Sequence, residues 1–174
     1  MTDQPTLKTK LSRIVQAFEA KPALARSTDV TSLRMGDGLA CIATQGDWSH
    51  TIDMPTTIGG TATGPTPGFF GRASVISCMA IGIKLAAARD DIEIAGIKID
   101  IETDWDDRGL MGFEGVDAGC QATRIGIEII SPHPQDVIEA LVAKALDRDP
   151  WYLSYIRALE VSMAIRVHDG TGRR

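Results

Sequence analysis

Cys78 is the residue whose type and position best suit chemistry. It lies near the middle of the stretch 59–89, where a glycine- and proline-rich approach leads into an apolar helix. A helix that is apolar on nearly every face belongs in a protein core. A thiol acts as a nucleophile in its thiolate form, so a reactive Cys78 needs a nearby cation or oriented hydrogen-bond donors that lower its pKa.

An activating group for this thiol has to come from elsewhere in the chain. The helix start at Thr66 is about 18 Å away at 1.5 Å per residue, too far for the helix dipole to act. Arg72 lies six residues before Cys78 and therefore on a different face of the helix. Arg34, from a hairpin near the N-terminus, is the cation that we expect to activate the thiolate.

Three further polar residues, His50, Asp53 and Asp149, are candidates for lining a cleft around the thiol. No spacing among them identifies a reaction. Asp149 also has a structural explanation, because Asp149-Pro150 is a typical N-cap and first position of a helix. His50 and Asp149 are the predicted binding residues of this cleft.

Other chemistries lack their motifs. The glycine-rich segment 59–66 does not have the Lys-Ser/Thr ending of a phosphate-binding loop. The histidines His50, His133 and His168 are scattered, without the paired spacing of metal ligands. The sequence therefore predicts no metal and no cofactor.

Composition limits the partners and the compartment. A net charge of −5 with interspersed signs argues against nucleic-acid binding. Three widely spaced cysteines and the lack of an apolar signal core near the N-terminus suggest a cytoplasmic protein. Because Arg72 and Lys84 interrupt the apolar helix, no membrane span is expected.

Hydrophobic periodicity predicts the elements that position Cys78. Apolar residues at helical spacing predict an amphipathic helix within 1–24, and alternation with period two predicts half-buried strands. Thr66 and Pro67 are the expected N-cap and first position of the central helix. The predicted strands are 30–35, 39–44, 48–53, 97–105, 123–129 and 161–167, and two later helices begin near Pro134 and Pro150.

This order of elements indicates an α+β fold with antiparallel sheets wrapped around one long central helix. At 174 residues, the chain is expected to form a single domain over 1–174, with its core over 30–167. A long polar loop at 106–119 joins the fourth and fifth strands. Loops of this length are usually functional or mobile.

Short motifs surround the start of the central helix: His50-Thr51-Ile52-Asp53-Met54-Pro55, Gly59-Gly60, Gly64-Pro65-Thr66-Pro67, and Ala73 to Cys78. Together they resemble the OsmC/Ohr family, and the order of the later elements also fits. The resemblance covers about 30–167. It implies an OsmC-like fold, an intertwined homodimer with swapped strands, and two sites at the subunit interface.

The resemblance also implies a reaction, the thiol-dependent reduction of organic hydroperoxides in an oxidative-stress response. In the family, a peroxidatic cysteine becomes a sulfenic acid, and a second cysteine then closes a disulfide that external thiols reduce. Cys78 matches the peroxidatic cysteine. The family's second cysteine and its Glu at the helix start are replaced here by Asp149 and Gly68, and Arg34 is a loose match to its arginine.

Two functions follow as hypotheses. The first is a peroxiredoxin-like thiol peroxidase or peroxide sensor that has lost its resolving cysteine, with Cys78 reduced by an external thiol and Cys41 or Cys120 as an unconventional partner. The second is a non-catalytic homodimer that binds a small apolar ligand, with Cys78 as a buried core residue. An enzyme of different chemistry in the same cleft is a third alternative.

Overall fold

The molecule is built around the central helix that the sequence predicts. The computed structural model describes residues 4–168, with side chains from residue 6 onward. In chain order, the elements are α1 (Gln4–Ala20), β1 (Ser32–Met35), β2 (Cys41–Gln45), β3 (Trp48–Ile52), α2 (Pro67–Arg89), β4 (Gly96–Asp104), α3 (Asp107–Leu110), β5 (Ala122–Ile130), α4 (Gln135–Leu146) and α5 (Pro150–Ile156). This confirms the α+β class, the first five strands and the N-terminal helix, although residues 1–3 of the predicted segment 1–24 lie outside the described part.

The strands form two separate antiparallel sheets. One has the order β1-β2-β3, and the other pairs β4 with β5. In the second sheet Ile99 lies opposite Ile127, and Ile97 lies opposite Ile129. Because alternate side chains of a strand point to opposite faces, this register places the isoleucines together on the face that packs on the core.

The core lies where α2 meets this second sheet and α4. Ile83 of α2 is fully buried. Large, close-packed apolar surface of this kind is the main stabilising contribution to a domain of this size. The buried members of the cluster are Ile83, Ala86, Ala87, Ile94, Leu141 and Ala145.

Helix α2 is covered on one side only, which corrects the expectation of a helix buried all round. Phe69 and Ile81 are 51% and 59% exposed. Helices α1, α4 and α5 and strand β4 pack against α2. A single chain therefore leaves an apolar strip of its central helix in contact with solvent.

Helix α2 also meets the length and hydropathy of a membrane span. It has 23 residues and a mean hydropathy of 1.5, so Arg72 and Lys84 do not exclude a membrane span by length and composition, contrary to the expectation from the sequence. Its surroundings are those of a core helix, because three other helices and a strand pack on it. The side chain of Lys84 donates a hydrogen bond to the carbonyl of Ile94 at the edge of the core.

The predicted last strand at 161–167 does not form in this structure. After α5 the described chain runs to residue 168 without a helix or a strand. Its alternating apolar residues are between 78% and 89% exposed. A strand needs a neighbouring edge for its backbone hydrogen bonds, and no strand of the described chain pairs with this segment. The exposed residues are Val161, Met163, Ile165 and Val167.

Candidate functional site

The approach to helix α2 is held in place by one buried carboxylate. Asp53, directly after β3, is 1% exposed. Its oxygens accept hydrogen bonds from the backbone N–H groups of Met54, Thr61 and Thr63 and from both threonine hydroxyls. The backbone N–H of Thr63 and the hydroxyl of Thr61 contribute most to holding the pKa of Asp53 well below its usual range. Asp53 thus fixes the conformation of the loop at 54–63 through its hydrogen bonds and does not line the cleft, contrary to what the sequence had suggested.

Two glycines allow this loop to lie directly on the strand before it. A Cβ atom at residue 60 would lie 1.8 Å from the carbonyl oxygen of Met54, and one at residue 64 would lie 2.4 Å from that of Thr51. Both distances are impossible for real side chains, so Gly60 and Gly64 are required by the backbone. The helix then begins as predicted, with the Thr66 hydroxyl accepting from the N–H of Phe69.

Cys78 lies half-buried on α2, where α5 packs on the helix. Burial is the largest influence on its thiol and raises the pKa. The backbone N–H of Trp151 donates toward the sulfur and lowers the pKa, whereas the Asp149 carboxylate raises it. No cation belongs to the described groups that set this pKa, so the single chain favours a protonated thiol.

Asp149 has two neighbours that account for its position. Its Oδ1 accepts from the N–H of Tyr152 at 2.7 Å, which confirms the predicted N-cap of α5. Its Oδ2 is buried and has no hydrogen-bond partner in the described part of the chain. This oxygen lies 3.3 Å from where a Cβ at Gly82 would be, one turn after Cys78. The carboxylate therefore lies close enough to raise the pKa of the thiol without a well-formed hydrogen bond to it.

A cavity of about 400 Å³ extends along α2 next to this pair. Two of its lining residues are close to the thiol in the chain or in its electrostatics: Val75 is one turn before Cys78, and Trp151 supplies the N–H that lowers the pKa of Cys78. Its walls are mostly apolar, and one charged side chain, that of Arg72, lines it. The lining residues are Pro67, Gly68, Gly71, Arg72, Ser74, Val75, Thr103, Trp105, Trp151, Ser154, Tyr155 and Leu159.

The other two predicted site residues lie on the first sheet. Arg34 is on β1, opposite Ile42, and is exposed. His50 is on β3, and its ring lies 5.8 Å from that of Phe70 in the first turn of α2. Neither belongs to the groups that set the pKa of Cys78 within one chain. The structure therefore brings Cys78 and Asp149 together, and the roles of Arg34 and His50 stay predictions.

The remaining cysteines have different surroundings. Cys41 is buried on β2, opposite Ile52. Cys120 is exposed, and its sulfur contacts the backbone carbonyl of Ala122 and the hydroxyl of Thr123. All three cysteines are free thiols in this structure.

The comparisons with known proteins agree with this architecture. The model of the OsmC-like protein family matches residues 60–163, which is more than half of the chain. The chain belongs to the OsmC-like family. A search of curated protein sequences gives no match.

Solved structures of OsmC-like proteins share the fold. The OsmC-like protein of Mycoplasma pneumoniae superposes with a TM-score of 0.64 at 17% identity, over 74% of this chain and 87% of that one. An organic hydroperoxide resistance protein OsmC of Legionella pneumophila gives 0.52 at 20%, over 75% and 92%. A Vibrio cholerae structure with captopril bound in one of its active sites gives 0.53 at 16%, over 75% and 87%. At such identities the likeness concerns the fold alone.

Sequence reasoning missed two groups of this OsmC-like site. The backbone N–H of Trp151 lowers the pKa of Cys78 because α5 packs on α2, which no local pattern reveals. Arg72 was excluded as a partner of the thiol, and it does not act on it, but it lines the adjacent cavity. The residue type at position 151 carried no signal for this donor, because every residue other than proline has a backbone N–H.

Proposed function

We propose that this OsmC-like protein reacts with organic hydroperoxides through the single thiol of Cys78, which an external thiol then regenerates. The observation that carries the proposal is the position of Cys78 on the central helix, one turn after Val75, which lines a mostly apolar cavity together with Trp151, whose backbone N–H lowers the pKa of the thiol. The family and the hydroperoxide resistance proteins among its structural neighbours support the same substrate class.

The proposed reaction needs no second cysteine. Cys78–SH and the hydroperoxide ROOH give the sulfenic acid Cys78–SOH and the alcohol ROH; the O–O bond breaks, an S–O bond forms, and the thiol proton passes to the alcohol oxygen. Two molecules of an external thiol reduce the sulfenic acid, which releases water and the disulfide of that thiol. By its resemblance to the family, Asp149 stands where a second cysteine is expected, and a carboxylate cannot form a disulfide.

The electrostatics of the site determine how the rate depends on pH. Because burial and Asp149 raise the pKa of Cys78, the reactive thiolate is a minor species at neutral pH in the single chain. The rate of oxidation is therefore expected to rise as the pH rises above neutrality. A cation supplied by a second subunit would shift this rise to lower pH.

We infer that a second copy of the chain supplies this cation and covers the exposed apolar surfaces. The uncovered strip of α2, with Phe69 and Ile81, and the alternating tail with Ile165 are the surfaces that a homodimer would bury. In such a dimer, Arg34 of one copy is the candidate for activating Cys78 of the other. Sedimentation should give the mass of two chains, and Ile165→Lys should shift it toward one chain; a monomeric wild type would contradict the inference.

The thiol chemistry is tested by intact-mass measurement. Reduced protein is incubated with cumene hydroperoxide at several pH values, beside Cys78→Ser and the matched variant Cys120→Ser, which removes the exposed thiol. We expect the wild type and Cys120→Ser to gain one oxygen or a thiol adduct, and Cys78→Ser to gain neither at this site. Folded wild type with Cys78 still reduced would overturn the proposal.

A second candidate function is binding without catalysis, and the Cys78–Asp149 pair favours it. A carboxylate beside a half-buried thiol opposes thiolate formation, which is the reverse of what a peroxidatic cysteine needs. In this case the cavity binds a small apolar ligand, and Cys78 is an inert core residue next to the cavity and not one of its lining residues. Native alkylation separates the two: a non-catalytic Cys78 would react with iodoacetamide only after unfolding.

A further inference from the structure

Asp149 has one carboxylate oxygen that the fold buries without pairing it. The residue is 2% exposed, and its Oδ1 accepts from the N–H of Tyr152 as the N-cap of α5. Its Oδ2 is also buried and has no hydrogen-bond partner among the described residues. A buried acceptor without a donor is destabilising, and more so when it is charged. Such an atom in a folded protein calls for an explanation, and a role in redox chemistry or catalysis is one of the usual ones.

This free oxygen lies against helix α2 next to Cys78. Oδ2 is 3.3 Å from where a Cβ of residue 82 would be, and Gly82 is one turn after Cys78 on the same side of the helix. A Cβ at that distance would crowd the oxygen, so the glycine lets the carboxylate approach α2 this closely. Besides burial and the N–H of Trp151, the Asp149 carboxylate contributes to the pKa of Cys78, as a hydrogen-bond acceptor and through its charge. The unpaired oxygen therefore faces the region of the sulfur.

The reduced cysteine is a poor partner for this oxygen. An S–H group is only a weak donor, and the thiol of Cys78 forms no well-formed hydrogen bond with Oδ2. The thiolate is worse, because two negative charges would then lie side by side. A sulfenic acid differs from both forms. It is longer by one oxygen atom, and its O–H group can donate a charge-assisted hydrogen bond to a carboxylate. It is thus the oxidation state of Cys78 that can supply the donor that Oδ2 lacks.

The same hydrogen bond affects what happens to the sulfenic acid next. A second hydroperoxide converts Cys78–SOH and ROOH into the sulfinic acid Cys78–SO₂H and the alcohol ROH; the O–O bond breaks, a second S–O bond forms, and the sulfenic acid proton passes to the alcohol oxygen. This product is not reduced by ordinary thiols. As for the thiol, the anion is the better nucleophile, so the reaction needs loss of the S–O–H proton. A neighbouring carboxylate opposes that loss.

We propose that Asp149 stabilises the oxidised form of Cys78: Oδ2 accepts the hydrogen bond of the Cys78 sulfenic acid and keeps it protonated, which slows further oxidation to the sulfinic acid. The inference rests on the proposed function in that both need Cys78 to become a sulfenic acid. It adds a control over the lifetime of that species. A reaction without a resolving cysteine needs such a lifetime, because the sulfenic acid has to persist until an external thiol arrives.

The test measures the second oxidation separately from the first. Protein with Cys120→Ser, which removes the exposed thiol, is treated with one equivalent of hydrogen peroxide and freed of oxidant. Sulfenic acid at Cys78 is then counted by dimedone labelling and peptide mass spectrometry. A second portion of hydrogen peroxide follows, and the growth of the sulfinic acid gives the rate of the second step. A Cys78 that reacts with hydrogen peroxide but not with cumene hydroperoxide would contradict the proposed substrate class and not this inference.

Asp149→Asn is the decisive variant. Its amide oxygen can keep the cap on the N–H of Tyr152, and its NH₂ group then takes the place of Oδ2, where it cannot accept from the sulfenic acid. We expect the sulfinic acid to form about tenfold faster than in the wild type, the effect of one charge-assisted hydrogen bond. Gly82→Ala crowds Oδ2 but keeps its charge, and it should give a smaller increase. Asp147→Asn removes an exposed carboxylate two residues away and is the matched control, with the rate of the wild type.

A role of Asp149 as a helix cap alone predicts a different result. Because Asn caps a helix about as well as Asp, Asp149→Asn would then form the sulfinic acid at the wild-type rate. That result would overturn the proposal, and so would a folded wild type in which Cys78 stays reduced or passes to the sulfinic acid without a dimedone-reactive stage. Circular dichroism shows whether each variant is folded. If Asp149→Asn does not fold, Gly82→Ala keeps the cap, and an unchanged rate in that variant would overturn the proposal.

Discussion

Replacing Asp149 separates its two contacts, one to the helix start and one to the thiol. Asp149→Asn keeps an oxygen that can accept from the N–H of Tyr152 but removes the negative charge beside Cys78. Asp149→Ala removes both. Asn and Asp are about equally good N-caps, whereas a change to Ala costs about 1 kcal/mol, with a range of about 0.5–2.

The two contacts of Asp149 determine how far each variant should change the Tm of the protein and the pKa of Cys78. One kcal/mol corresponds to about 2–4 °C in Tm for a domain of this length, so Asp149→Ala should lose about that much and Asp149→Asn should lose little. Both variants should lower the pKa of Cys78, because both of the effects of Asp149 on it raise the pKa. The pKa should still remain above its ordinary value, because burial raises it more than the Trp151 N–H lowers it.

The assay follows alkylation of Cys78 by iodoacetamide as a function of pH, with the modified site read by peptide mass spectrometry. A Cys120→Ser background removes the exposed competing thiol. Thermal unfolding by circular dichroism gives Tm for the same proteins. An unchanged or raised pKa of Cys78 in Asp149→Asn would refute the placement of this carboxylate beside the thiol, and equal losses of Tm in the two variants would refute its role as the cap.

Three further changes test the loop, the core and the site. Because the pKa of Asp53 is lowered in the folded state, its contribution to stability is present above the unfolded pKa of about 4 and is lost as the pH falls below it. Acid unfolding of the wild type should show this loss. Asp53→Asn should be less stable at neutral pH, and its free energy of unfolding should change less with pH in acid. Ile83→Ala should lower the free energy of unfolding in urea by about 2–5 kcal/mol. Leu24→Ala, at an exposed position, should lower it by less than about 1 kcal/mol. Similar losses in the two variants would contradict the assigned core. In Asp149→Cys, the new cysteine should form a disulfide with Cys78 after hydroperoxide treatment, with loss of water from the sulfenic acid. If peptide mapping finds no disulfide-linked peptide, the two positions are not in contact.

The course of the backbone near the thiol was predictable from local chemistry. Thr66 and Pro67 mark the start of α2, and Asp149 and Pro150 mark the start of α5, because capping depends on residues a few positions apart. The alternation in β4 and β5 likewise identified the face that packs on the core. The motifs around the helix start were enough to suggest the family that the family model then confirmed.

The last strand shows where a local pattern becomes insufficient. The alternation at 161–167 is typical of a strand, and the described segment is extended chain with its apolar residues exposed. Alternation specifies which side chains share a face, but the hydrogen bonds of a strand depend on a neighbouring edge. The sequence of one chain does not say where that edge comes from.

The sequence by itself determined the central helix, the position of Cys78 on it and the caps on both sides of the site. Only the tertiary structure decided what surrounds the thiol. Asp149 and Trp151 are more than seventy positions from Cys78, and they meet it because α5 packs on α2. Arg72 lines the neighbouring cavity and donates a hydrogen bond to the hydroxyl of Thr103, 31 positions away on β4. The pKa of a thiol depends on all the charged and polar groups that packing brings close to it, and short-range sequence patterns do not identify groups that are distant in the chain.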